Sequence, residues 1–179
     1  MKKIILTAIV AVASLGANAQ IWVGGQLGFN ISDREDLGEG KTTTFSIAPE
    51  VGYTLNDKFD LAIALRESNT SVKDGDSSNT FTVNPYARYT FFQTGKVGFF
   101  VDGGFSVGVQ SFDGSDDNLT IWGIGIRPGV KYAASDKVTL VASFGGLGYQ
   151  QAKCGDVSIS DLGLNVDGNA LQFGLYYSF

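Results

Sequence analysis

The chain has 179 residues, with 13 Lys and Arg against 18 Asp and Glu, a formal net charge of −5, one cysteine and no histidine. Without histidine a His-dependent catalytic triad and a His-ligated metal site are excluded. One cysteine, Cys154, cannot form an internal disulfide framework.

Residues 1–19, MKKIILTAIVAVASLGANA, begin with a basic pair, Lys2 and Lys3, continue through an apolar run and end on Ala17-Asn18-Ala19. That is the layout of a cleaved secretory signal peptide. The apolar run is shorter than the roughly 20 residues a membrane-spanning helix needs. Cys154 lies far from the cleavage site, so a lipid anchor on the first mature residue is not expected. The mature chain, 20–179, has the size of one domain.

After the signal, period-2 alternation recurs between turn residues, the pattern of strands. In FDLAIALR, Phe59, Leu61, Ile63 and Leu65 share one face, and Asp60, Ala62, Ala64 and Arg66 the other. FSIAPEVGYT, FTVNPYARYTF and VGFFVDGGFSVGVQ alternate in the same way. The spacing predicts eight strands, at 21–30, 44–55, 58–67, 80–92, 97–110, 119–132, 138–150 and 169–179. The pairs Gly24-Gly25 and Gly145-Gly146 allow a bulge, so strand phase is left open there. Pro49, Pro85 and Pro128 fall inside strands and suggest a bulge or local distortion at each.

The connections alternate in kind. Those after strands 2, 4 and 6 are short, around Asn56-Asp57, 93–96 and 133–137. Those after strands 1, 3, 5 and 7 are long and polar and carry most of the acidic residues: ISDREDLGEGKTT, SNTSVKDGDSSN, SFDGSDDN and QAKCGDVSISDLGLNVDG. Up-and-down connectivity places the short turns at one end and the long loops at the other, the asymmetry of an outer-membrane barrel with short periplasmic turns and longer extracellular loops. The expected fold is all-β, an eight-stranded antiparallel up-and-down transmembrane β-barrel.

The two faces set its orientation to solvent. One carries Phe, Leu, Ile, Val, Tyr and Trp; the other is mostly Gly, Ala, Ser, Thr, Asn and Gln with a few charges. Eight strands enclose a narrow lumen that side chains just fill. The bulky set would not fit there on every strand, so it faces lipid. Tyr53, Phe59, Phe91, Phe99, Tyr132 and Phe179 near the turns, and Phe45, Phe81 and Trp122 near the loops, form two interfacial aromatic girdles.

The inward phase holds Glu50, Asp60, Arg66, Arg88, Asp102, Arg127 and Lys131. Buried charges are costly unless paired, so a lumenal charge network of Glu50, Arg66, Arg88, Asp102, Arg127 and Lys131 is expected. In it Asp102 bridges Arg88 and Arg127, and Glu50 balances nearby base. The network plugs the lumen; the alternative is a narrow pore for ions or very small solutes. The acidic segments at 74–79 and 113–118 offer clustered oxygen ligands but lack the full calcium-loop pattern, so a solvated acidic surface is the plainer reading and bridging of divalent cations to lipopolysaccharide the sharper one.

The last eight residues, QFGLYYSF, resemble the C-terminal assembly signal of bacterial outer-membrane proteins, polar-x-Gly-x-x-aromatic-x-aromatic, with Gln172, Gly174, Tyr177 and Phe179 at the required positions. With the signal peptide and the eight alternating segments, the mature chain resembles the small outer-membrane barrels of the OmpA/OmpX type, in the broad porin family of short barrels. The resemblance carries no catalytic motif. It implies recognition by the barrel assembly machinery and an integral, non-enzymatic place in the outer membrane of a Gram-negative bacterium. OmpA itself adds a periplasmic peptidoglycan-binding domain, for which this sequence has no counterpart after the last strand. The expected setting is a monomer among outer-membrane lipid and lipopolysaccharide. An extracellular partner for the loops is the interaction to seek, and no nucleic acid, cofactor or metal is expected.

Overall fold

A computed structural model describes residues 20–33, 41–72, 77–113, 118–154, 157–165 and 171–179. The segment expected to be a signal peptide, 1–19, and the centres of the acidic loops lie outside the described residues. Among the described residues ten strands run in chain order: β1 Gln20–Asp33, β2 Lys41–Asn56, β3 Phe59–Val72, β4 Ser78–Thr94, β5 Val97–Phe112, β6 Asn118–Ala133, β7 Val138–Ser143, β8 Gly146–Cys154, β9 Val157–Asn165 and β10 Gln172–Ser178. Every pairing is antiparallel.

The wall closes through eight positions. β1 to β7 pair in sequence, β7 pairs β10, and β10 returns to β1. The ring is sealed at its seam by Trp22↔Ser178 through Gly28↔Gln172 and by a hydrogen bond from the Phe179 amide to the Ile21 carbonyl, 3.1 Å.

Of the two additional strands, one comes from division of the seventh expected strand and the other from the expected loop after it. The β6 register moves by one residue between Gly129↔Ser143 and Ile126↔Leu147, which divides the predicted strand 138–150 into β7 and β8. Gly145 sits in that bulge with φ 61°, a conformation that costs any residue with a Cβ. The segment after β8, expected to be loop, forms a hairpin instead: β8 and β9 pair from Gly146↔Asn165 to Cys154↔Val157. The apolar residues of β9 change phase between Ile159 and Leu162, so no single alternation marked this polar, acidic stretch as a strand.

The Gly24-Gly25 pair carries no bulge; β1 keeps an unbroken register with both neighbours there. Register shifts occur near turns instead, at Thr54/Asn56 and Thr90/Phe92. At Pro49 and Pro85 the pairing with the next strand lapses and resumes in the same register, between Ile47↔Glu67 and Glu50↔Ala64 and between Val83↔Val107 and Tyr86↔Gly104. A proline has no N–H to give the ladder, and at these two sites the wall absorbs the loss without inserting a residue. Pro128 does lie opposite the β7–β8 bulge, where its carbonyl accepts from the Phe144 amide at 3.2 Å.

Exposure follows strand parity. Leu27, Phe29, Phe45, Ile47, Leu61, Phe105, Val107, Ile124, Ile126, Phe173 and Leu175 are exposed, while Ala48, Ala64, Phe100, Arg88, Gln26 and Ser143 are buried. The apolar residues are therefore on the outside and a mixed polar set inside, the inverse of a water-soluble barrel. Phe59, Phe91, Phe99, Tyr132, Phe179, Phe45, Phe81 and Trp122 all stand on the outer surface; Tyr53 shares their phase but is buried.

Candidate functional site: the barrel lumen

Three inward aromatics fit the narrow lumen because glycines face them across the strands. A Cβ on Gly52 would overlap the Trp22 indole, one on Gly129 the Phe100 ring, and one on Gly24 the Tyr176 backbone and ring edge. The Trp22 and Tyr176 rings pack with centroids 4.3 Å apart. These aromatics brace the polar groups around them.

Arg88, 2% exposed, makes a bidentate pair with Asp102: Nε to Oδ1 at 2.7 Å and Nη2 to Oδ2 at 2.9 Å. β4 and β5 set the two residues directly opposite one another, and two parallel N–H···O bonds are the strongest arrangement a guanidinium can offer a carboxylate. The guanidinium also lies over the Phe100 ring, 3.9 Å from its centroid, which adds cation–π attraction in a dry setting. Its Nη2 reaches the Tyr176 hydroxyl at 3.3 Å.

Tyr176 links this pair to Glu50. Its hydroxyl donates to Glu50 Oε2 at 2.8 Å, Tyr86 donates to the same oxygen at 2.6 Å, and Gln26 Nε2 donates to Glu50 Oε1 at 2.8 Å. Ser143 Oγ donates in turn to Gln26 Oε1 at 3.0 Å. Among the described residues Glu50 takes its hydrogen bonds from neutral donors, and its charge acts through space on Arg66, the nearby base. A carboxylate accepting several hydrogen bonds is satisfied without a cation.

The expected bridge from Asp102 to both Arg88 and Arg127 is corrected in its second half. Asp102 and Arg127 face each other in the β5–β6 register, but both Asp102 oxygens are engaged by Arg88. Arg127 Nη1 donates to Gln172 Oε1 at 2.8 Å, and Arg66 Nη2, from the non-adjacent strand β3, donates to the same oxygen at 3.1 Å. Asp60 accepts from Thr54 Oγ1 at 2.6 Å. Lys131 stands beside Gly98 near the turn end, apart from these bonds.

Sequence reasoning placed the charged side chains on the inward phase. It missed the polar and aromatic side chains that connect them: Gln26, Tyr86, Tyr176, Ser143 and the lumenal role of Gln172. The signal available was parity, since each stands on the same phase as a charged residue of its own strand or register.

On the loop side of the network lies a cavity of about 770 Å³. Arg66, Tyr86, Asp102 and Arg127 border its inner end, and Gly104, Ser106, Gly123, Gly125, Gly148 and Asp161 its wall. Among the described residues no group of His, Cys, Asp and Glu could hold a metal ion.

The family described as outer membrane protein beta-barrel domain matches residues 4–179. The chain belongs to this family. Comparison with curated proteins yields no match. Among solved structures, the barrel is similar to Neisserial surface protein A, at 21% identity and a TM-score of 0.59, covering 91% of this chain and 98% of that one. It is also similar to a major outer membrane protein of Thermus thermophilus, at 11% identity and TM-score 0.49, covering 91% and 100%, and to the attachment invasion locus protein Ail of Yersinia pestis, at 12% identity and TM-score 0.47, covering 90% and 97%.

Family membership and a closed eight-position wall with an apolar exterior place the chain in a bacterial outer membrane. In this outer membrane protein beta-barrel the four C-terminal residues expected to form an assembly signal divide by face. Gln172 and Gly174 point into the lumen, where a Cβ on Gly174 would meet Gln26 Cγ at 2.7 Å, whereas Tyr177 and Phe179 are exposed outside.

Proposed function

We propose that this protein is an integral outer-membrane barrel, closed through its middle, whose role is structural or one of surface interaction through its loops. The observation that carries the reading is the Asp102–Arg88–Tyr176–Glu50–Gln26 chain of hydrogen bonds, which draws on β1, β2, β4, β5 and β10 and crosses the interior of the ring. Eight strands enclose only enough room for side chains, and open channels need about 16. Lipopolysaccharide and outer-membrane lipid would cover the apolar exterior, the barrel assembly machinery would read Gln172, Gly174, Tyr177 and Phe179, and any partner would meet the acidic loops. A non-enzymatic role agrees with the sequence's lack of histidine.

The second reading is a narrow pore, favoured by the cavity that reaches the network from the loop side. Conductance of the purified protein in planar bilayers separates the two. The closed reading expects a silent wild type and measurable conductance for Asp102→Ala, which frees Arg88 from its partner. Steady wild-type conductance, lost or altered in Asp102→Ala, would establish the pore.

A further inference from the structure

We propose that the lumenal cavity is an oxyanion-binding vestibule, with the guanidinium groups of Arg66 and Arg127 as its ligands. Three observations converge. First, the two cations reach from two non-adjacent strands, β3 and β6, to a single neutral acceptor, Gln172 Oε1. Like charges brought together on one carbonyl repel, and a shared anion relieves that repulsion. Second, the Arg127 Nε is buried and has no hydrogen-bond partner among the described residues. A buried, unmet guanidinium N–H is costly, and a carboxylate or phosphate oxygen is the acceptor that its planar fork matches best. Third, both arginines border a space of about 770 Å³, large enough for a small oxyanion and its water.

The carboxylates around the cavity offset this charge only in part. Asp102 is consumed by its bidentate pair with Arg88. Glu50, whose oxygens accept from Gln26, Tyr86 and Tyr176, acts on Arg66 through space without a direct bond, so the two arginines keep an excess positive charge. Asp161, exposed on β9, lines the outer wall. The glycines at 104, 123, 125 and 148 keep the wall free of side chains, so an anion has room to pass inward to the arginines. The shared chemistry is a phosphate or carboxylate group. It can arrive free in solution or as the headgroup of an amphiphile.

The test is titration of the refolded protein, in neutral detergent, with inorganic phosphate in one arm and monododecyl phosphate in the other. The readout is the side-chain Nε–H resonances of the arginines. Saturable movement of the Arg66 and Arg127 signals is expected, with that of Arg88 following only weakly. Response to inorganic phosphate identifies a free anion as sufficient; response to the alkyl phosphate alone identifies a headgroup. Arg66→Gln and Arg127→Gln should each weaken binding about tenfold to a hundredfold, the loss of one or two charge-assisted hydrogen bonds. Lys131→Gln, which removes a lumenal charge near the turn end, should leave binding unchanged. The proposal is overturned if the wild-type Arg66 and Arg127 resonances stay fixed in both arms, or if the two glutamine variants bind as wild type does. It is equally overturned if Lys131→Gln abolishes binding. Should a glutamine variant fail to fold, the wild-type resonances alone decide. No conductance enters the readout, so failure here is distinguishable from failure of the closed-lumen reading.

Discussion

Arg88 and Asp102 illustrate how strongly one pair depends on both its members. Each is almost fully buried, so removing either leaves the other charged group desolvated and alone. Breaking a buried pair in this way costs about 3–5 kcal/mol, whereas replacing both partners by apolar groups of similar size is often close to neutral. Arg88→Met and Asp102→Leu should therefore each destabilise the barrel by that amount, and the double variant by much less than their sum, in urea unfolding from lipid vesicles. Strict additivity would mean that the two residues act independently. Gly52 makes a different demand. Gly52→Val would push a side chain into the Trp22 indole, an overpacking change worth about 1–3 kcal/mol. In a Trp122→Phe background, where Trp22 is the remaining tryptophan, its emission should shift to longer wavelength; an unmoved spectrum would show that the indole is not seated on that glycine. The inward position of these charges could be read from parity in the sequence. Their partners could not, because several side chains of one phase compete for each carboxylate and only closure of the ring decides which meet. Asp102 faces both Arg88 and Arg127 in register, and side-chain reach, which no pattern encodes, gives it to Arg88.

At the scale of the element, the strands of the wall follow from alternation and the departures follow from breakers. Strands at 44–55, 80–92 and 97–110 were legible with their faces; the first two proved longer at both ends and the third at its C-terminal end, since pairing with a neighbour continues a strand past the point where its own pattern fades. The β8–β9 hairpin was not legible. Its exposed apolar residues include Ile159 and Leu162, 65% and 74% exposed, separated by Ser and Asp, so its apolar signal is thin. The junction of β7 and β8 turns on Gly145, whose φ of 61° is unfavourable for a residue with a Cβ by about 1–2 kcal/mol. Gly145→Val should loosen the hairpin without opening the ring, because closure runs through β7 and β10 rather than β8. The expected result is faster amide exchange across β8 and β9 with the unboiled protein still migrating as a compact band on SDS gels. Loss of that compact band would place β8 in the closure itself.

For the whole molecule the decisive property is which face meets lipid. Phe105 and Ile124 are paired near the middle of β5 and β6, 53% and 60% exposed, and alternate with Ser106 and Gly123, whose backbone or side chains border the lumenal cavity. Two adjacent residues on one strand therefore sit in solvents of opposite character. An arginine on the lipid face near the bilayer midplane costs about 2–4 kcal/mol, while a polar change in the lumen carries no such penalty. Ile124→Arg should lower the unfolding free energy in vesicles by that amount, and Ser106→Asn should change it little. The contrast is diagnostic because a soluble barrel would reverse it, tolerating arginine on its wetted exterior and resisting added polarity within. The same inversion explains why the interior can hold Arg66, Arg88 and Arg127 at all. With lipid rather than water outside, burial of apolar surface inside no longer drives folding, and the interior is held by hydrogen bonds and ion pairs that have no competing solvent beyond the wall. Equal tolerance at both sites would remove the membrane from the account of this fold and with it the reason for a charged core.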